Sequence, residues 1–258
     1  MSATQVRDDD PLAERSPLPV ALRAPAQGAV LVFAPHPDDD LLGAGLTLRL
    51  HRLQGDPVHM VIVYDGASGG SKGPPQDPAK RAALAAQRRK EALLGGAHFD
   101  LRSYEFWDYP EGHLPGPQDL VAAARRVAQC VRRVQPHTVY APWVGEYHTD
   151  HHALARAVRL GLRAAGFAKD AWGYEVWSPL QPTHIVDVTD GYERKAAALA
   201  EHASQIEGTD LVHMVRGLNA HRSLYLPKGA RYGEAFAPLG NPHPQDAALL
   251  PPFAPPGG

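Results

Sequence analysis

Residues 28–45 read GAVLVFAPHPDDDLLGAG, and this stretch decides the fold. Gly28 to Ala34 is a short continuous apolar run, the pattern of a strand buried on both faces. Leu41 to Arg52 reads as a helix, with Gly43 and Gly45 marking close packing near its start. Between strand and helix lies a compact polar knot, Pro35-His36-Pro37-Asp38-Asp39-Asp40. A strand that feeds a helix in this way is the first half of a βαβ unit.

The same alternation continues outward. Pro57 to Tyr64 is a second buried strand, and Asp77 followed by Pro78 opens a helix that runs to Leu94 and stops at Gly95-Gly96. Ser103 to Trp107 is a third strand, residues 118–134 a third helix, and His137 to Ala141 a further strand followed by a helix over about 151–165. Tyr174 to Trp177 and His184 to Val188 complete the strands. Asp190 with Glu193 three residues later caps a helix reaching about Ser204. The expected class is α/β: a Rossmann-like three-layer sandwich with a mostly parallel sheet and its active site at the carboxyl ends of the strands. Residues 1–27 read as a Pro/Ala-rich arm, 28–236 as the body, and 237–258 as a proline-rich tail.

Bulk properties narrow the function. Of 258 residues, 44% are hydrophobic and 21% charged, which suits one sizeable globular domain. The net charge of −2 supplies no basic field for a phosphate backbone, so nucleic acid is a poor partner. Neither a signal peptide nor an apolar run of membrane-spanning length is apparent, and the expected location is the cytoplasm. The single cysteine, Cys130, falls on the apolar stripe of the third helix and reads as core rather than as a catalytic thiol. His51, His59, His98 and His221 lack a partner pattern and read as structural. Arg125-Arg126 and Arg132-Arg133 read as a solvated helix face.

Two segments carry chemistry. Three consecutive aspartates repel one another, and helix capping explains one of them but not three, nor the histidine before them. The second segment, Gly145-Glu-Tyr-His148-Thr-Asp150-His151-His152, again falls at a strand-to-helix junction. Two histidines and a carboxylate on a divalent ion leave positions open for water and substrate. Such an ion acidifies its water and polarises a carbonyl, a spare carboxylate takes the proton, and a spare histidine protonates the leaving group. Spacing alone leaves open which aspartate binds metal and which acts as base.

PHPDDD and HTDH resemble the PHPDDE and H-x-D-H signatures of the LmbE-like, or PIG-L, zinc N-deacetylases. The resemblance extends over the body, residues 28–236, to the glycine loop Asp65–Gly70 and to Lys195 and His202-Ala-Ser-Gln205. It implies cleavage of an N-acetyl group from a glucosamine-containing small molecule. Carried over by position, it makes His36, Asp39 and His151 ligands of Zn2+, although the set also admits an ion such as Fe2+. It makes Asp38 the general base, His148 the acid and oxyanion stabiliser, and Asp150 the group that orients His148. Homo-oligomers are common in the family, and the resemblance admits a homo-oligomer here without fixing the state. Asp40 departs from the usual glutamate and is one carbon shorter. Arg88 and Glu91 fit a family pattern loosely and receive no role.

Asp65, Trp107, Tyr109, Glu111 and His113 are candidates for sugar contacts, and Trp143 and Tyr147 for the pocket wall; an ordinary loop with a buried tryptophan explains the Trp107 stretch equally well. The glycine-rich loop 65–73 lacks Walker or dinucleotide spacing and reads as a loop over the site. Other readings compete. An amidase acting on a larger acyl or thiol-conjugate amide would use the same residues. A facial-triad iron oxygenase would need no base such as Asp38 and usually uses a β-barrel. A non-catalytic metal-binding or sugar-binding module would have lost Asp38 or His148.

Overall fold

The structure, a computed structural model, describes residues 18–69, 75–112 and 116–250. In chain order the elements are β1 (Val20–Leu22), β2 (Val30–Ala34), α1 (Asp39–Leu53), β3 (Val58–Tyr64), α2 (Pro78–Ala97), β4 (Ser103–Tyr109), α3 (Pro117–Val134) and β5 (Thr138–Pro142). There follow α4 (Thr149–Ala165), β6 (Asp170–Tyr174), β7 (His184–Asp187), α5 (Tyr192–Ala200), α6 (Ala203–Ile206), α7 (Leu211–Arg222), β8 (Gly233–Pro238) and α8 (Pro244–Leu249).

The strands form one eight-stranded sheet in the order β1-β7-β8-β6-β5-β2-β3-β4. Every pairing is parallel except the two that β8 makes with β6 and β7. Alternation along β2 builds both layers of the core. Val30 and Val32 pack with Leu41, Leu48 and Tyr174 on the face covered by α1 and α5, whereas Leu31 and Phe33 pack with Val127, Val131 and Val158 on the face covered by α3 and α4. The expected α/β sandwich is therefore the observed one.

The site follows from the strand order. From β2 the chain builds outward through β3 to β4, then returns to place β5 on the other side of β2. The helices that follow β2 and β5 diverge to opposite faces and open a crevice at the carboxyl ends of these strands. Both signature segments begin there. Gly43 lets α1 lie against the sheet, since a Cβ at that position would come within 2.1 Å of the Tyr174 ring.

Several boundaries differ from expectation. Residues 20–22, read as part of an arm, pair with β7 as an edge strand. The strand expected at 174–177 runs instead over 170–174, because residues 176–178 turn away to bond with Glu146. The helix expected from Asp190 to Ser204 is divided into α5 and the short α6 by His202. Strand β8 and helix α7 had no sequence expectation. In β8 a charged residue, Glu234, lies fully buried, which conceals the strand pattern. Its carboxylate accepts from Lys195 Nζ at 2.7 Å and from the backbone N–H groups of Leu46 and Thr47 in α1, at 3.0 and 2.8 Å.

Candidate metal centre

The β2–α1 turn places His36, Asp38, Asp39 and Asp40 in sequence around the start of α1. Asp38 occupies the N-cap position but makes no capping bond with its side chain. Its Oδ2 instead accepts from Arg88 at 3.2 Å, and the buried Arg88 also donates to the Gly66 carbonyl. Asp39 turns inward. Its Oδ2 lies 3.0 Å from His36 Nδ1 and 3.1 Å from His151 Nε2, the latter brought from the start of α4. Donor atoms of His36, Asp39 and His151 lie within 4.8 Å of one another and all three residues are buried.

The donor set fits a transition metal. Neighbouring donors on a tetrahedral ion lie roughly 3.3 Å apart, close to the separations seen. His151 is fully buried, and its Nδ1 has no hydrogen bond among the described residues. A buried imidazole is not normally left so. Burial lowers the His36 pKa, yet its hydrogen bonds with Asp150 and Asp39 and the charges of Asp39 and Glu111 outweigh this and push it up to about 10. Burial alone would raise Asp39, but the charge of His151, its hydrogen bond and then those of His36 hold it well below the usual carboxylate range. A proton on His36 thus occupies the place that a cation suits.

Around this core lies a cavity of about 200 Å³, lined in part by His36, Asp38, Asp39, His148, Arg88, Glu111, Trp177 and Gln205. His148 is the N-cap of α4 and accepts the Asp150 N–H on Nδ1 at 3.3 Å, which leaves its proton on Nε2. Burial, together with His36 and His151, lowers its pKa. The Asp150 carboxylate lies on His36 Nε2 at 3.0 Å and accepts the Gly112 N–H at 2.9 Å. It meets His148 through its backbone. Burial, reinforced by Asp38 and Asp39, pushes Asp40 up to about 7 despite a hydrogen bond from Tyr104.

All six candidate residues of the two signatures are thus gathered at one place. The profile of the family described as "PIG-L: GlcNAc-PI de-N-acetylase" matches residues 31–161, half of the chain and both signatures. This chain belongs to the PIG-L family. Among curated proteins it is 27% identical to the 4-oxalmesaconate hydratase of Pseudomonas putida, over 77% of this chain and 83% of that one. It is 25% identical to the diacetylchitobiose deacetylase of Thermococcus kodakarensis, over 68% and 69%. Among solved structures, the conserved protein TT1542 from Thermus thermophilus matches with a TM-score of 0.69 at 27% identity, covering 83% of this chain and 95% of that one. The chain is an enzyme of this family.

Several cavity residues of this PIG-L chain were not assigned from its sequence. Arg88 is the partner of Asp38, and its spacing on α2 was the available signal. Glu111, by contrast, was a candidate for sugar contacts and does reach the cavity: its Oε1 lies 3.8 Å from His36 and its Oε2 accepts the Ser68 N–H at 2.7 Å. Trp177 and Gln205 come from elements whose boundaries were misplaced. Conversely, Trp107 is core, edge-on to Phe33 at 5.9 Å. Tyr109 packs beside it. Tyr147 is 74% exposed, and Trp143 bonds the Ser178 carbonyl. Asp65 caps its own loop by accepting the Ala67 and Glu111 N–H groups. His113 and loop residues 70–73 lie outside the described residues. Cys130 is buried with a raised pKa, caused chiefly by desolvation, as a core thiol should be. Among the described residues, no helix is long and apolar enough to cross a membrane.

Proposed function

We propose that the chain hydrolyses the N-acetyl amide of a glucosamine-containing small molecule, with Zn2+ held by His36, Asp39 and His151. The observation that carries this reading is the convergence of His36 and His151 on Asp39 Oδ2 at 3.0 and 3.1 Å, beside a cavity that Asp38 and His148 also line. A divalent ion bound there would acidify water and polarise the amide carbonyl. Asp38 takes the water's proton. Arg88 occupies its Oδ2 and so fixes which oxygen, Oδ1, is open for this. His148 donates from Nε2 to the oxygen that gains charge as the carbonyl is attacked. When protonated it is a strong donor to the departing nitrogen, because burial and its histidine neighbours lower its pKa. Asp150 holds both His36 and the His148 ring in place. Glu111 and Gln205 offer hydrogen bonds, and Trp177 an apolar edge, to a sugar.

The hydratase relative raises a second reading, water addition to a polarised C=C of a carboxylate substrate. The same base and metal would serve. The cavity walls, however, carry Asp38, Asp39 and Glu111, and the fixed cation among the described lining residues, Arg88, is committed to Asp38 and Gly66. That balance favours a neutral sugar amide over a polyanion.

The test follows primary-amine release from N-acetylglucosamine conjugates by zinc-loaded protein, with Asp38→Asn in parallel. The expected outcome is zinc-dependent release, reduced about 10²–10⁴-fold in the variant, as for loss of a general base. Hydration of an unsaturated carboxylate without any amine release would favour the second reading.

A further inference from the structure

Glu146 belongs to the second signature segment, yet the proposed chemistry makes no use of it. It is 2% exposed, and its carboxylate is surrounded by hydrogen-bond donors. Oε1 accepts the N–H of Val176 at 2.7 Å and that of Ser178 at 3.3 Å, and the Trp177 N–H lies 3.2 Å from both oxygens. The segment 176–178 is tied back to residues 143–147 a second time, by Trp143 Nε1 on the Ser178 carbonyl and the Tyr147 N–H on Ser178 Oγ. Glu146 Oε2 also lies 3.7 Å from Nδ1 of His151, the buried ring nitrogen that has no hydrogen bond among the described residues.

We infer that Glu146 is a positioning residue that accepts the Nδ1 proton of His151, so fixing the tautomer that leaves Nε2 free for the metal, while its backbone bonds set the wall segment that carries Trp177. The inference rests on the reading of His151 as a metal ligand. An imidazole that ligates through Nε2 must carry its proton on Nδ1, and that proton needs an acceptor when the ring is buried. Glu146 is the carboxylate in range, and a small closure from 3.7 Å makes the bond. Nothing else is required of the ring, since α4 already points Nε2 at Asp39.

The residue type is specified by its neighbours. Each group that faces the carboxylate is a donor: three backbone N–H groups and the Nδ1–H of His151. Glutamine matches the shape but has a single acceptor atom. If its oxygen serves the backbone donors, its amide N–H₂ faces Nδ1 and makes that nitrogen an acceptor. The His151 proton is then held on Nε2, the atom that the metal needs. Glu146→Gln therefore favours the tautomer that opposes metal binding while preserving the wall segment's contacts to the amide oxygen.

The experiment uses full-length protein labelled with ¹⁵N-histidine. Long-range ¹H–¹⁵N spectra report the His151 tautomer, assigned by the peak lost in His151→Asn, and chelator competition reports zinc affinity. In wild-type protein loaded with zinc, the expected signature is coordination through Nε2 and a slowly exchanging, downfield Nδ1–H. Glu146→Gln is expected to weaken zinc binding about 10–100-fold, and, once loaded with zinc, to lose the slowly exchanging, downfield Nδ1–H, with the circular dichroism spectrum retained. Zinc affinity within twofold of wild type and an unchanged Nδ1–H signal in the zinc-loaded variant would overturn the inference. If Glu146→Gln does not fold, the wild-type spectrum decides, because a His151 Nδ1–H that exchanges rapidly when zinc is bound has no carboxylate on it. Wild-type protein that does not take zinc through His151 fails the underlying ligand reading instead, a result visible without any variant of Glu146.

Discussion

At the scale of single residues, His36 shows how the site stores a proton where a metal belongs. Its ring lies between two carboxylates, Asp39 at Nδ1 and Asp150 at Nε2, each 3.0 Å away. Desolvation alone would make it neutral at pH 7; the carboxylates win and hold its pKa at about 10. In metal-free protein this raised pKa stabilises the fold fully below the unfolded value near 6.5, and that contribution is lost as pH rises toward 10. Zinc has the opposite dependence, because it must displace the proton. Zinc affinity is therefore expected to rise about tenfold per pH unit between pH 6 and 8, with at least one proton released per ion. Calorimetry in buffers of differing ionisation enthalpy counts the protons, and a flat dependence on pH would show that His36 is neutral before the metal arrives.

At the scale of elements, α1 connects the site to a buried ion pair. Lys195 on α5 donates to Glu234 Oε1 at 2.7 Å, to the Leu42 carbonyl at 2.7 Å and to Asn219 Oδ1 at 3.1 Å. Both charges are fully buried, and burial lowers the lysine pKa. Removing one partner leaves an unpaired buried charge beside the helix that carries Asp39. Lys195→Met is expected to cost about 3–5 kcal/mol in urea unfolding, with part recovered in Lys195→Met/Glu234→Gln. A single-variant loss below about 1 kcal/mol would mean that Glu234 is readily neutralised or hydrated. The same pair shows where sequence reading stops. Strand β2 and both signatures were legible because apolar runs and clustered aspartates are local patterns. Strand β8 was not, because the residue that justifies Glu234 inside a strand lies 39 positions away in the chain. Arg88 was half-legible for a similar reason: its helix was read correctly, but its partner Asp38 is 50 positions away. Glu146 lay within the quoted segment, yet nothing local shows that its acceptors face residues 176–178.

At the scale of the whole molecule, the proposed metal would join two units of the fold that otherwise meet across the crevice. His36 lies in the turn between β2 and α1 and Asp39 on α1, which packs on one face of the sheet, and His151 on α4, which packs on the other. An ion shared by them binds the folded arrangement and not the separated chain, so mass action converts its affinity into stability. At 100 times the dissociation constant this amounts to about 2.7 kcal/mol. For a chain of 258 residues that corresponds to a rise of roughly 5–10 °C in the unfolding midpoint. Two nitrogens and one oxygen favour zinc over the oxygen-seeking magnesium and calcium, and place Fe2+ below Zn2+ in affinity. The expected series in a thermal melt is a large shift with zinc, a smaller one with Fe2+ under anaerobic conditions, and none with magnesium. Asp39→Asn is expected to abolish the zinc shift, because the amide cannot supply the anion on which both histidines converge. An equal zinc shift in that variant would place the ion elsewhere, and the neighbouring group of His36, His148 and Asp150, whose donor atoms also lie within 4.8 Å of one another, would become the site to test.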